Sequence, residues 1–278
     1  MKVILAKTYG FCPGVERAIK IAQEARKRKG EITVWKEIVH NPTVITALTK
    51  KGIKFEKNLG AIKQGVVIFS AQGVSPAARK QAKKQGLVII DATCPLVTKA
   101  HALVKNFAKK GYEIVYIGDK GHDEVIGVMG EAPDKIKVIS KKEEVKSLRL
   151  KNSKKLVVVT QTTLSIFETK EIIDALVKKF PRAQIFETIC QATTLRQKAV
   201  KDLARKTQAV VVVGGRTSAN SKRLKEVVEK MGKPAYLVEN ASQLDKTWFT
   251  GLKLIGITAG ASTPEKSIQE VAGKIKSL

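Results

Sequence analysis

The chain has 278 residues, and its 43% hydrophobic content is enough for a packed core, which excludes disorder over most of its length. Its apolar runs end within six residues, whereas a helix that crosses a bilayer needs about 20, so the sequence predicts no membrane span. Lysine and arginine outnumber aspartate and glutamate by 52 to 25, and the resulting net charge of +27 favours acidic partners or anionic ligands.

Nucleic acid is the first anionic partner to consider, because the basic stretches 26–29 and 141–155 carry charges that neutralise phosphates. However, the lysines are spread over every predicted helix, and aromatic residues make up only 5% of the chain, too few for base-stacking platforms. Nucleic-acid binding is therefore disfavoured as the main function.

The N-terminal apolar run reaches Lys7 before a signal peptide develops, so we expect a cytoplasmic protein. In that reducing compartment an odd set of three cysteines is better interpreted as thiols for packing, metal binding or catalysis than as disulfides.

The sequence contains three copies of one pattern, in which an apolar strand precedes a cysteine and an amphipathic helix follows it. The strands 2–6, 87–91 and 183–187 precede Cys12, Cys94 and Cys190, and the helices are predicted over 15–28, 96–110 and 194–206. Each helix leads to a further strand, over 32–38, 112–117 or 209–213, and then to a polar loop. The second half of each copy ends in a loop of small residues, at 70–76, 160–165 or 258–264. In two of these loops a hydroxyl residue precedes Pro76 or Pro264, which predicts an N-cap with proline at the first helical position.

Alternating strands and helices predict an α/β fold of three similar lobes, with short, mainly parallel sheets around a pseudo-threefold axis. The predicted lobes are 14–94, 95–190, and 191–278 together with 1–13, because the last lobe lacks a final strand that the N-terminal strand supplies. Parallel sheets bind ligands at the carboxyl ends of their strands, so we expect the cysteines and the loops at one central site.

The cysteines allow several interpretations. Isolated cysteines in a chain of this length are commonly small buried apolar residues. A structural zinc site normally shows paired Cys-x-x-Cys spacing, which this sequence lacks. Three thiolates at equivalent repeat positions suit a cubane iron–sulfur cluster with one iron left open, although the spacing does not fix the number of irons.

Six motifs resemble those of the 4-hydroxy-3-methylbut-2-enyl diphosphate reductase family, the LytB-type iron–sulfur reductases, and the resemblance spans the whole chain. They are Gly10-Phe11-Cys12-Pro13-Gly14-Val15, Val39-His40-Asn41, Asp91-Ala92-Thr93-Cys94-Pro95-Leu96-Val97-Thr98-Lys99, Gly121-His122-Asp123-Glu124-Val125, Thr160-Gln161-Thr162-Thr163-Leu164-Ser165 and Thr258-Ala259-Gly260-Ala261-Ser262.

This resemblance implies an oxygen-sensitive [4Fe–4S] cluster held by Cys12, Cys94 and Cys190, with the allylic hydroxyl of the substrate on the open iron. Two electrons and protons then remove that oxygen as water, which gives isopentenyl and dimethylallyl diphosphates. Glu124 is implied to relay protons and Thr162 to orient the hydroxyl. Acidic electron donors such as ferredoxin or flavodoxin suit the positive surface. The diphosphate is implied to bind at the positions of His40, Gln72, His122, Ser218, Ala219, Asn220 and Ser262.

Three positions depart from the family pattern. Gln72 replaces a histidine and cannot carry positive charge, Ala219 replaces a serine and lacks its hydroxyl, and Asp123 often corresponds to proline in the family. The first two changes predict weaker diphosphate binding or, as an alternative, a diverged reductase of another allylic or phosphorylated alcohol. A less favoured alternative is a nucleic-acid-binding protein on this scaffold. We expect Asp123 to raise the pKa of Glu124. Three of the implied diphosphate ligands also have a competing interpretation. His40 fits a turn residue, and Ser218 and Ser262 fit helix caps.

Overall fold

The computed structural model describes residues 1–278 and contains twelve strands and ten α-helices. In chain order the strands are β1 (Lys2–Leu5), β2 (Ile32–Trp35), β3 (Lys54–Glu56), β4 (Val66–Phe69), β5 (Val88–Asp91), β6 (Glu113–Ile117), β7 (Ile136–Ile139), β8 (Leu156–Thr160), β9 (Gln184–Phe186), β10 (Ala209–Val213), β11 (Ala235–Val238) and β12 (Leu254–Ala259). The helices are α1 (Pro13–Lys29), α2 (Pro42–Lys50), α3 (Pro76–Lys84), α4 (Pro95–Lys109), α5 (Asp123–Met129), α6 (Glu144–Ser147), α7 (Ile166–Lys179), α8 (Gln191–Lys206), α9 (Ala219–Glu229) and α10 (Glu265–Ser277).

The strands form three four-stranded sheets in which every pairing is parallel. Their spatial orders are β1-β12-β10-β11, β3-β2-β4-β5 and β7-β6-β8-β9. The predicted α/β fold with three short parallel sheets is therefore confirmed. The N-terminal strand also completes the last sheet as predicted, because β1 pairs in parallel with β12 from Lys2 opposite Leu254 to Leu5 opposite Ile257.

Apolar runs in the sequence become the inner strands. All five residues of β8 and of β10 are buried, as are the four residues of β4. Such continuous apolar strands are typical of parallel sheets that helices cover on both faces. The strands that precede the cysteines, β1, β5 and β9, lie at sheet edges and are more exposed.

The chain divides into two compact units. The first consists of Met1–Glu16, Val39–Lys51 and Gln191–Leu278, and it holds the sheet of β1, β12, β10 and β11. The second consists of Arg17–Ile38 and Gly52–Cys190, and it holds the other two sheets. The division into three lobes at residues 14, 95 and 191 stays a prediction. None of the helices has the length and apolar character that crossing a bilayer requires.

Two local predictions were wrong. The strand predicted over 32–38 ends at Trp35, because Lys36 has a φ of 62°, in the left-handed region that interrupts a strand. Ser75 caps α3 as predicted, but Thr263 does not cap α10, which begins one residue later with Pro264 at the N-cap. The buried Thr263 hydroxyl instead donates to the Val213 carbonyl at 2.9 Å.

Candidate active site

The three cysteines occupy equivalent positions in the three sheets. Each follows an edge strand, and each donates its backbone N–H to the loop after the neighbouring inner strand. The three pairs are Cys12 with the Ala261 carbonyl (3.1 Å), Cys94 with the Ala71 carbonyl (3.0 Å) and Cys190 with the Thr162 carbonyl (3.0 Å). The sequence repeat therefore corresponds to a repeated local geometry at the carboxyl ends of the strands, where parallel sheets bind ligands.

None of the three cysteines forms a disulfide, and all three are partly exposed. Thiols in this state are able to act as soft metal ligands, unlike thiols sealed in a core. No three His, Cys, Asp or Glu side chains lie grouped around a point where they would share one metal ion. A [4Fe–4S] cluster does not need such a group, because each iron takes a single thiolate.

Glu124 is a buried carboxylic acid in the first turn of α5, and its side chain receives three hydrogen bonds. Thr162 donates its N–H to Oε1 at 2.8 Å and its hydroxyl to Oε2 at 2.7 Å. Tyr116, buried in β6, donates its hydroxyl to Oε1 at 3.2 Å. Because the Thr162 carbonyl accepts the Cys190 N–H, one residue contacts both the carboxyl group and a cysteine loop.

Burial raises the pKa of the Glu124 carboxyl group, because an ionised carboxylate loses its hydration there. The hydrogen bonds from Thr162 and Tyr116 and the charge of His101 lower this pKa and offset part of the rise. The Asp123 carboxylate, which we expected to raise this pKa, pairs with the Lys36 ammonium group and is not among the main causes of the shift. Glu124 is suited to hold a proton that an exposed glutamate would lose.

His122 is the N-cap residue of α5. Its Nδ1 accepts the Glu124 N–H at 3.2 Å, so Nδ1 carries no proton and the neutral ring carries its proton on Nε2. The ring therefore presents its Nε2–H group as a hydrogen-bond donor, two residues before Glu124 in the sequence. Gln72 lies in the loop whose Ala71 carbonyl binds Cys94, and its Oε1 is buried without a hydrogen-bond partner.

The other implied diphosphate ligands lie in the first unit, where short contacts connect them. Ser262 donates its hydroxyl to the His40 carbonyl at 3.2 Å, and the neighbouring Ala261 N–H binds Asn220 Oδ1 at 2.9 Å. The Nδ2 group of Asn220 is buried and has no partner. Ser218 caps α9 through the Ser221 N–H at 3.4 Å, and Ala219 is buried in its first turn.

The loop after β10 approaches His40 closely. A Cβ atom on Gly215 would lie 2.5 Å from the His40 carbonyl oxygen, so only glycine allows this contact. The structure thus brings His40, Ser218, Asn220 and Ser262 into one connected cluster. The unpartnered Asn220 amide N–H₂ and the hydroxyl groups are neutral donors of the kind that surround a phosphate anion.

Sequence reasoning missed two groups near Glu124. Tyr116 reads as an ordinary core residue of an apolar strand, and only the fold shows that its hydroxyl meets the carboxylate. His101, to which the sequence assigns no role, has its Nδ1 2.8 Å from Glu131 Oε1, and both side chains are mostly buried. A helical His followed 30 residues later by Glu carries no sequence signal of this contact.

Comparison with known proteins places these features in a family. A family model described as LytB protein matches residues 3–276. A 4-hydroxy-3-methylbut-2-enyl diphosphate reductase of Ralstonia nicotianae is 45% identical over 281 residues, which cover 100% of this chain and 87% of the relative. The Acinetobacter baumannii protein of the same name is 46% identical over 285 residues, with 99% and 90% covered.

Two solved structures are also similar. The E-1-hydroxy-2-methyl-but-2-enyl-4-diphosphate reductase of Plasmodium falciparum has a TM-score of 0.95 and 38% identity, and the match covers 98% of this chain and 87% of that one. A second structure, (E)-4-hydroxy-3-methyl-but-2-enyl diphosphate reductase, described as the terminal enzyme of the non-mevalonate pathway, has a TM-score of 0.70 and 34% identity, with both chains fully covered. With a family match over nearly its whole length and relatives this similar, the chain belongs to the LytB protein family.

Proposed function

We propose that this chain reduces 4-hydroxy-3-methylbut-2-enyl diphosphate to isopentenyl and dimethylallyl diphosphates, with a [4Fe–4S] cluster held by Cys12, Cys94 and Cys190. The names of its relatives support the substrate. The observation that carries the proposal is the contact of one residue, Thr162, with both the buried carboxyl group of Glu124 and the backbone of Cys190. This arrangement pairs a proton donor with a metal ligand.

The three cysteines suit such a cluster, because they form no disulfide, are partly exposed and are equivalent in backbone geometry. Three thiolates bind three of the four irons and leave the fourth without a protein ligand. When bound, the cluster supplies the electrons and a Lewis-acidic iron for breaking the carbon–oxygen bond. Ferredoxin or flavodoxin is the class of donor that suits the net charge of +27.

The overall reaction consumes two electrons and two protons, and the hydroxyl oxygen leaves as water. Hydroxide is a poor leaving group, so a positioned acid lowers the barrier to its departure. Protonated Glu124 donates from Oε2 to the Thr162 hydroxyl, the reverse of the bond in the ionised state. The Thr162 hydroxyl then turns its own proton to the substrate. Burial favours the protonated form that this relay requires.

The diphosphate end of the substrate needs donors that do not carry the desolvation cost of a buried ammonium group. Asn220 Nδ2 is such a donor, since it is buried and has no partner in the protein. The Ser218 hydroxyl, whose oxygen accepts the Ser221 N–H, and the Nε2–H of His122 are further neutral donors. The Ser262 hydroxyl donates to the His40 carbonyl and has to turn from it to bind a phosphate oxygen. The His40 side chain is partly exposed and adds an imidazole to the set.

The direct test is turnover by the anaerobically reconstituted protein with a reduced viologen as electron donor. We expect consumption of 4-hydroxy-3-methylbut-2-enyl diphosphate and formation of both isomeric products. Protein that carries a full cluster but leaves this substrate unchanged would contradict the proposal.

Gln72 favours a second candidate, a diverged reductase of another allylic or phosphorylated alcohol, because its buried Oε1 lacks a partner. If the standard substrate is correct, Gln72→His adds a charge-assisted hydrogen bond worth about 1.5–3 kcal/mol. We then expect the KM to fall about 10- to 100-fold, as measured by steady-state kinetics. Turnover by wild type with an unchanged KM in the variant would refute this prediction, and turnover by the variant alone would favour the second candidate.

The Tyr116 hydroxyl lowers the pKa of Glu124, the proposed acid catalyst. Its hydrogen bond stabilises ionised Glu124, so Tyr116→Phe removes a contribution that lowers the pKa, and the pKa rises further. An acid catalyst works only while protonated, so kcat falls as pH rises through this pKa. In the variant we expect this fall at higher pH, measured from the pH profile of kcat. Tyr112→Phe is the control, because the Tyr112 hydroxyl binds Gln184 instead. If kcat of Tyr116→Phe fell at the same pH as in wild type, or at a lower pH, Tyr116 would not act on Glu124.

A further inference from the structure

Arg196 makes an unusual set of contacts for a buried side chain. It lies on α8, only 3% of its surface is exposed, and its guanidinium group donates to the backbone that leads to Cys12. Nε and Nη2 bind the Gly10 carbonyl at 3.2 and 2.6 Å, and Nη2 also binds the Phe11 carbonyl at 2.8 Å. The remaining Nη1 group binds the Ala192 carbonyl of its own helix at 2.8 Å.

The same loop is held on its other side by β12 and the residues after it. Gly10 donates its N–H to the Ala259 carbonyl at 3.4 Å, and Cys12 donates to the Ala261 carbonyl at 3.1 Å. Gly10 also has a φ of 70°, so the chain turns sharply two residues before the thiol. The N–H groups of this loop therefore face one element and its carbonyl groups face Arg196, which leaves little freedom for Cys12.

A weaker version of this contact occurs before Cys94. Arg17, on α1, donates from Nη1 to the Thr93 carbonyl at 3.1 Å and to the Ala92 carbonyl at 3.4 Å. In both cases an arginine five or six residues after one cysteine binds the two carbonyls that precede another cysteine. Arg17 is exposed, however, whereas Arg196 is buried and makes more bonds.

The third loop, before Cys190, is held differently. Thr188 donates its N–H to the Thr160 hydroxyl at 2.8 Å and its own hydroxyl to the Thr160 carbonyl. The matching position on α4 holds Lys99, which is exposed. Arginine therefore occurs where a side chain on a neighbouring helix binds two loop carbonyls at once. Its planar guanidinium group has five N–H donors for this purpose, whereas the lysine ammonium group is a compact point charge.

We propose that Arg196 is a positioning residue that fixes the Cys12 loop and places a buried positive charge at the Phe11 carbonyl, next to one of the proposed cluster ligands. This inference rests on the proposed function, in which Cys12 is a cluster ligand. A fixed thiol retains its iron, and a nearby positive charge stabilises the reduced, more negative cluster. Hydrogen bonding and charge around a cluster are the means by which a protein sets its reduction potential.

The experiment compares anaerobically reconstituted wild type with Arg196→Gln and Arg196→Lys. The measurements are the rate of iron loss to a chelator, hydrogen exchange at the Cys12 amide, and the midpoint potential of the cluster. Arg205→Gln is the matched control, because Arg205 lies on the same helix but is exposed and paired with Asp202. It removes the same charge without touching the loop.

For Arg196→Gln we expect iron loss about 10- to 100-fold faster than in wild type, the range typical for groups that support metal ligands. Exchange at Cys12 should also accelerate and the potential should become more negative. Arg196→Lys keeps the positive charge, so we expect the midpoint potential of wild type. It should still lose iron faster than wild type, because an ammonium group cannot reproduce the hydrogen bonds of the planar guanidinium group. Arg205→Gln should match wild type in all three measurements.

Wild-type iron loss and potential in Arg196→Gln would overturn the proposal. If that variant does not fold, Arg196→Lys decides, since an iron-loss rate equal to that of wild type would overturn it as well. Failure of the proposed function gives a different result, because wild type itself would then take up no cluster.

Discussion

Glu124→Gln is expected to lower kcat by about 100- to 10,000-fold, the contribution typical of a positioned general acid. Glutamine has nearly the same shape and keeps an oxygen that accepts hydrogen bonds. Its amide N–H groups, however, are far too weakly acidic to transfer a proton at neutral pH. The variant should therefore hold its cluster and bind substrate while the proton relay through Thr162 is interrupted. Steady-state kinetics combined with iron analysis of the same sample measures both properties.

The stability of this variant provides an independent check. Burial raises the pKa of Glu124 above its unfolded value, so the stabilising contribution is fully present below the unfolded pKa and is lost as pH rises through the folded one. Glutamine does not ionise and therefore does not lose this contribution as pH rises. At neutral pH and above, the denaturant concentration at which Glu124→Gln unfolds should be equal to that of wild type or higher. The exposed Glu171→Gln is the control and should retain wild-type kcat. A Glu124→Gln enzyme with more than a tenth of wild-type kcat would show that this carboxyl group is not the acid.

Substitution of each cysteine by serine in turn is expected to abolish reduction. The hydroxyl group has nearly the same size but is a harder, weaker ligand for iron than a thiolate. Because all three cysteines have equivalent backbone contacts, the three variants should behave alike. We expect each to lose activity more than about 100-fold, beyond the usual effect of changes outside the ligand set.

Iron content and visible absorbance after anaerobic reconstitution measure this loss. Thr93→Ser, next to Cys94, is the control because it keeps the hydroxyl that contacts Asp91 and leaves the ligand unchanged. If one of the three cysteine variants kept a full cluster and wild-type activity, that cysteine would not be a ligand.

The fold could be predicted to a large extent from the sequence, because parallel sheets leave a strong pattern. Runs such as Val66–Phe69 and Ala209–Val213 are continuously apolar and are separated by amphipathic helices. The repeat also showed that the last copy lacks a strand, which predicted the pairing of β1 with β12. The early end of β2 could not be predicted, because the left-handed backbone of Lys36 has no signal in the residue type.

The candidate site could be proposed from the sequence where its residues form motifs, but not where they depend on contacts between distant parts of the chain. The cysteines and Glu124 stand in long motifs that resemble those of the family. The charge of Asp123, by contrast, was expected to act on Glu124, but it meets Lys36, which is 87 residues away in the sequence. Tyr116 and Arg196 lie within ordinary strand and helix patterns, and only the folded chain shows the groups that they contact.

The Mössbauer spectrum of protein reconstituted with ⁵⁷Fe tests the central claim most directly. If three thiols of this chain hold one cubane cluster, the spectrum should show three similar irons and one distinct iron, and the substrate should shift the signal of the distinct iron only. Four equivalent irons, or a spectrum that the substrate leaves unchanged, would contradict the account.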